Sequence, residues 1–174
     1  MVRCRLSWKT WGFCACAVVN APPASKIRDL DYGDVLFHFF QDDYFEAIVR
    51  LEANRDFKRL THHTAEAELL SGGLYLSLGL HAEASRIFNR LLAGPVPQSV
   101  SDRAHFYLAR IGYQRGYHAE AWRSLERIRA PLPGPLESER HLLASNVLMA
   151  QGRFSEAVGA LQATTNDDWA PYAR

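Results

Sequence analysis

A short phrase recurs four times along this chain: DDYFEA at 42–47, GLHAEA at 79–84, GYHAEA at 116–121 and GRFSEA at 152–157. Its glutamates, Glu46, Glu83, Glu120 and Glu156, stand 37, 37 and 36 residues apart. A period of that size marks a stack of supersecondary units, none of which can bury its apolar face alone. It divides the chain into units near 28–64, 65–101, 102–137 and 138–171, with residues 1–27 outside the rule.

Inside the units the apolar residues follow a helical period. In the third, Leu108, Ile111 and Gly112 precede the phrase, and Ala121, Leu125 and Ile128 follow at i, i+4 and i+7. The pattern predicts one helix before each phrase and one after it, hence an all-α chain of about four antiparallel helix-turn-helix units. Glycine opens three of the phrases and is expected to end the first helix in a left-handed conformation. The four glutamates then fall in the first turn of the second helix, where negative charge meets the positive end of the dipole. Arg50, Arg86 and Arg123 follow three of them at helical ion-pair spacing. The row of carboxylates is thereby accounted for structurally, and nothing pairs them for acid–base catalysis.

The alanines Ala47, Ala84, Ala121 and Ala157 are expected where the two helices approach most closely, opposite Val35, Gly72, Ala109 and Ser145. One turn on, Leu51, Phe88, Leu125 and Leu161 supply a large apolar group toward the next unit. Proline supports the same punctuation: none occurs between residues 24 and 94, and Pro95, Pro97, Pro131, Pro133, Pro135 and Pro171 all fall between units.

Composition removes several classes of function. With 174 residues, 48% of them hydrophobic, the chain can bury one core. A formal charge of +1 supplies no field for nucleic acid or for a membrane surface. Cys4, Cys14 and Cys16 all precede the repeats, so the repeats hold neither a disulfide nor a thiolate metal site. His81 and His118 occupy one repeat position that Tyr44 and Phe154 fill elsewhere, so a flat ring is what is shared. His62 and His63 are adjacent and would point about 100° apart on a helix. No H-E-x-x-H, G-x-S-x-G or phosphate-cradling loop occurs. No catalytic residue, metal ligand or cofactor is expected, and the chain reads as a non-enzyme.

The first 28 residues carry no acidic side chain: Arg3, Arg5 and Lys9 lead, Trp11 to Val19 is apolar, and Asn20 to Ser25 is small and proline-bearing. That order is the layout of a secretory signal, and the apolar run is too short to span a bilayer. Export to the periplasm or cell envelope is the expectation; a disordered leader of a cytoplasmic protein, or a misassigned start, is the other reading. At the far end the apolar side of the last helix, around Val158 and Leu161, needs a cover from Trp169 and Tyr172, from a second chain or from further residues. Self-association through this uncapped repeat is therefore an option.

Gly72, Tyr75, Gly79, Ala84, Phe88 and a proline near the unit end follow the order that the tetratricopeptide repeat uses. The third unit keeps Ala109, Gly116, Ala121, Leu125 and Pro133, and the fourth keeps Gly152, Ala157 and Leu161. The first departs most, with Asp42 in place of the turn glycine and Asn54 at a normally apolar position. The chain from residue 28 onward thus resembles a divergent, bacterial-type member of that family. The resemblance implies an α-solenoid whose first helices line a concave groove for a peptide or protein partner.

Carried over unit by unit, the groove positions of the family fall on Tyr32, Leu36, Phe39 and Phe40, then on Leu69, Gly73, Leu76 and Ser77. The third unit contributes Arg103, Phe106, Arg110, Tyr113 and Gln114, and the fourth Leu142, Asn146 and Met149. Arg103 and Arg110 would offer charged forks to carboxylates, with Phe106 and Tyr113 beside them as apolar surfaces. The other reading makes the aromatics core and the arginines a solvated edge. Relatives that clamp chaperone tails use Lys and Asn in the groove; here Tyr32, Leu69, Phe106 and Leu142 stand at such places and Asn146 is the one suitable amide, which argues against that partner class. The function implied is a non-catalytic scaffold in the cell envelope. The alternative is a regulatory or accessory repeat domain of a larger enzyme or of a secretion or polysaccharide-assembly system.

Overall fold

A computed structural model describes residues 27–162, which contain eight helices and no strand. They form four consecutive pairs: α1 (Leu30–Phe40) with α2 (Tyr44–Asp56), α3 (Thr64–Ser77) with α4 (His81–Ala93), α5 (Gln98–Gln114) with α6 (His118–Glu126), and α7 (Pro135–Ala150) with α8 (Phe154–Gln162). Each helix packs most on its partner across the turn, and α2, α4 and α6 also pack on the first helix of the next pair. The first helices α3, α5 and α7 touch in succession as well, so the packing is repeat-like and all-helical. Helices α3, α5 and α7 begin at Thr64, Gln98 and Pro135, ahead of the unit limits at 65, 102 and 138 that the period implies. The leader-like segment up to residue 26, and Trp169, Pro171 and Tyr172, lie outside the described residues.

The recurring phrase makes one turn four times over. Asp42, Gly79, Gly116 and Gly152 have φ of 61°, 76°, 80° and 76°, a region where a Cβ is penalised and glycine is not. The next residue in each turn donates its N–H five residues back, as Asp43 to His38, Leu80 to Tyr75, Tyr117 to Gly112 and Arg153 to Leu148, at 2.8–3.1 Å. Carbonyls orphaned at the end of the first helix are closed by this motif. Ala47, Ala84, Ala121 and Ala157 then donate to Asp43, Leu80, Tyr117 and Arg153, the first bond of each second helix. All four alanines are buried.

Glycine permits close approach between the helices of a pair at two places. Gly72 lies under Phe88: a Cβ built on Gly72 would come within 2.4 Å of the Phe88 ring. The close neighbour of Ala121 is Gly112, one turn past Ala109, where a Cβ would meet Ala121 at 3.3 Å. The reason is antiparallel geometry, in which residues equidistant from the turn face each other. Gly112 and Ala121 flank Gly116 almost symmetrically.

The glutamates sit in the first turns as expected. Glu46 accepts from Arg50 at 2.8 Å, and Arg86 and Arg123 reach Glu83 and Glu120 at 3.4 Å. Glu156 has a partner too, reached backward: Arg153 Nε donates to it at 2.8 Å.

Two buried aspartates tie first helices to later connections. Asp29 accepts the N–H of His62 at 2.9 Å and of His63 at 3.0 Å. Asp102 accepts the N–H of Arg129 at 3.0 Å, the N–H of Ala130 at 3.2 Å and the Gln98 side-chain amide at 2.8 Å. Both carboxylates thereby satisfy loop amides that helix geometry leaves unpaired.

Candidate functional site: the face of the first helices

The residues expected to line a groove lie on α1, α3, α5 and α7, and most of that face is closed by its own side chains. Tyr32, Leu36, Phe39, Leu69, Gly73, Leu76 and Phe106 are all buried. Tyr32 stacks on His63 with ring centroids 4.9 Å apart, and Phe39 leans on Tyr44 at 5.8 Å. Phe106 meets Tyr107 edge-on at 5.5 Å, and Tyr107 in turn stacks on Phe88 at 5.4 Å. Tyr32, Phe39 and Phe106 are thus core residues and present no surface to a partner. Large apolar groups at these positions fill the spaces between neighbouring helices. What remains between Tyr32, Leu36, Glu66, Leu69, Arg103 and Tyr107 is a cleft of about 10 Å³, room for a water and not for a side chain.

Arg103 and Arg110 are set into this face instead of projecting from it. Arg103 is 7% exposed; its Nε donates to the Ser99 carbonyl at 3.2 Å. Burial, and then the charge of Glu66, push the Tyr32 hydroxyl up to about 12, with Arg103 opposing. Burial likewise raises the Tyr107 hydroxyl, again against Arg103. Both phenols are therefore neutral donors at ordinary pH. Arg110 faces Glu139 of α7 at 3.8 Å, and burial raises the Glu139 carboxyl although Arg110 pulls it down. The two arginines form no open pair of forks.

The accessible part of the face belongs to the ends of the helices and to α7. Phe40, at the end of α1, is 56% exposed. Gln114 is exposed and Tyr113 is half-buried, its ring 5.6 Å from that of His118. On α7, Leu142 and Met149 are exposed and Asn146 is half-buried. Leu142, Asn146 and Met149 fall at i, i+4 and i+7, one stripe of α7 with an amide between two apolar groups. Such a stripe suits an extended apolar segment whose backbone needs an amide partner.

Sequence reasoning passed over Glu66, Tyr107 and Glu139, which set the electrostatics of the face. Glu139 is separated from Arg110 by 29 positions, and no local pattern connects residues so far apart. Among the described residues no three His, Cys, Asp or Glu side chains gather as a metal-holding group. Among the same residues no helix is long and apolar enough to cross a membrane. No protein-family model matches the chain, and no curated protein matches it significantly.

Proposed function

We propose that the chain is a tetratricopeptide-like α-solenoid acting as a non-catalytic scaffold, and that it holds a protein or peptide partner on the exposed end of its first-helix face. The observation that carries this reading is the fourfold identity of the turn, with the same five-back hydrogen bond at 2.8–3.1 Å in each. Residues common to the four units serve the turn and the packing, while the positions that vary lie on the first helices. The binding residues in this reading are Tyr113 and Gln114 of α5, Leu142, Asn146 and Met149 of α7, and Phe40 of α1. Arg103 and Arg110 are set into the same face, Arg103 against the Ser99 carbonyl and Arg110 opposite Glu139.

A cell-envelope location rests on the basic, apolar and small-residue order of the first 25 residues. The second reading, an accessory repeat domain of a larger assembly, is favoured by α8. Phe154, Val158 and Leu161 lie at i, i+4 and i+7 and are all exposed, as a helix face awaiting a further unit would be.

The test is affinity capture from the native host with mass spectrometry, comparing the wild type with Leu142→Asp/Met149→Asp and with Phe154→Asp/Val158→Asp. Loss of one partner with the α7 variant alone supports the face assigned here. Loss with the α8 variant alone favours the accessory-domain reading, and a partner kept by both overturns the scaffold surface proposed. Sequencing the mature N-terminus from the same material decides the compartment.

A further inference from the structure

The connection between α2 and α3 leaves open a space that the later connections fill. Between α4 and α5, Val96 packs on the core, and between α6 and α7, Ile128 and Leu132 do so. Residues 57–63 contribute Leu60 alone among apolar groups. Phe57 is turned to solvent, with the Arg59 guanidinium 5.1 Å above its ring. The result is a cavity of about 240 Å³ between α2, this connection and α3. Arg55, Lys58, Thr61 and Thr64 on its rim are exposed, so the cavity opens to solvent.

Its floor is Leu51, Leu60 and Ala67, and its polar wall can be accounted for group by group. Thr64 Oγ1 donates to the Leu60 carbonyl at 2.7 Å, Thr61 Oγ1 to Asp29 at 3.3 Å and Ser71 Oγ to Glu52 at 3.4 Å. Arg55 pairs with Glu52 and lies 3.8 Å from Glu68, which also takes Arg90 at 2.8 Å. Lys58 lines the cavity, and no carboxylate lies within ion-pair distance of it among the described residues. The wall therefore offers one uncommitted cation above an apolar floor.

Lys58 also holds an unusual backbone position. Its φ is 54°. Lys58 N–H donates to Arg55 at 3.0 Å and Arg59 N–H to Asn54 at 2.9 Å, the pattern that closes each phrase turn. In three of those turns glycine occupies the left-handed place, and here a lysine does so at a conformational disadvantage.

We propose that this cavity binds a small amphipathic monocarboxylate, its tail on Leu51, Leu60 and Ala67 and its carboxylate on the Lys58 ammonium. A single negative charge is the match, because among the described residues Lys58 is the one cation of the wall with no carboxylate at ion-pair distance. The volume suits a tail of about six to ten carbons. This site is separate from the α7 stripe and stands whether or not that stripe binds a partner.

Octanoate is the probe. Titrated into the full-length protein, it shifts the backbone amide NMR signals of Thr61, Thr64 and Ser71, and calorimetry gives its affinity. Octan-1-ol, with the same tail and no charge, binds about tenfold more weakly or less. Lys58→Gly weakens octanoate binding about tenfold while raising the melting temperature, because glycine takes the left-handed backbone freely; the loss is then not one of folding. Ala67→Leu, which fills the floor, abolishes binding. Octanoate shifting none of these signals, octan-1-ol binding as tightly as octanoate, or Lys58→Gly binding as the wild type does overturns the proposal.

Discussion

The Asp29 carboxylate takes the backbone N–H of His62 at 2.9 Å and stands 2.9 Å from the Nδ1 of the same residue. One acidic group at the head of α1 thereby fixes the connection that leads into α3. Burial works to raise its pKa, but the His62 side chain and the backbone N–H groups of His62 and His63 outweigh it, lowering the value from 3.8 to about 2. A carboxyl depressed in the folded state contributes stability that is complete above its unfolded value and disappears as pH falls through the folded one. Urea midpoints measured at successive pH values should therefore fall between about pH 4 and pH 2. Asp29→Asn should lower the midpoint at neutral pH and flatten that acid limb.

Gly72 and Gly112 lie in comparable helices but under different neighbours, so the same substitution separates them. Alanine gains about 1 kcal/mol of helix propensity at either site. At Gly72 the new Cβ meets the Phe88 ring at 2.4 Å, and Phe88 is fully buried against Tyr107 with no room to turn away. Overpacking of that kind costs about 1–3 kcal/mol, so Gly72→Ala should destabilise in urea unfolding and Phe88→Leu in the same chain should restore part of the loss. Gly112→Ala, with its closest contact at 3.3 Å, should stay within about 1 kcal/mol of wild type.

Asp42 is the one member of the four turns that carries a side chain at positive φ, 61°. Its carboxylate accepts from the Tyr44 hydroxyl at 2.8 Å on the exposed surface, an offset worth less than about 1 kcal/mol. Asp42→Gly should accordingly stabilise the chain by about 0.5–1 kcal/mol, read as a higher denaturation midpoint with unchanged slope.

Where the turn inside each pair lies was legible because its signals are local, a glycine at left-handed φ and an alanine on the first bond of the new helix, whereas α5 and α7 begin ahead of the period's limits, α7 at Pro135 itself. Which side of a first helix is buried was not legible. Helices α3 and α5 are covered on two sides, by their own partners and by neighbouring first helices, so apolar periodicity alone leaves Phe106 equally suited to groove and core. Tyr32 and Phe39 show the same ambiguity. Asp29 is harder still, since an aspartate ahead of a helix reads locally as an N-cap. Its side chain makes no cap hydrogen bond to α1 and turns instead to residues 33 and 34 positions away. The cavity beside Lys58 escaped notice for a related reason: it is defined by apolar groups that the connection lacks, relative to its later counterparts.

Eight of the 14 residues of α3 are buried. Ala67, Leu70 and Leu74 belong to one apolar cluster with α1 and α2, while Leu69 and Leu76 belong to the other with α5 and α7. No cut through the chain at this helix leaves two closed halves. The α8 end, by contrast, contributes to neither cluster. Loss of the second pair would open both clusters at once, because α3 contributes to each. Helix α3 is therefore the seam at which the two apolar clusters are joined into one folded unit.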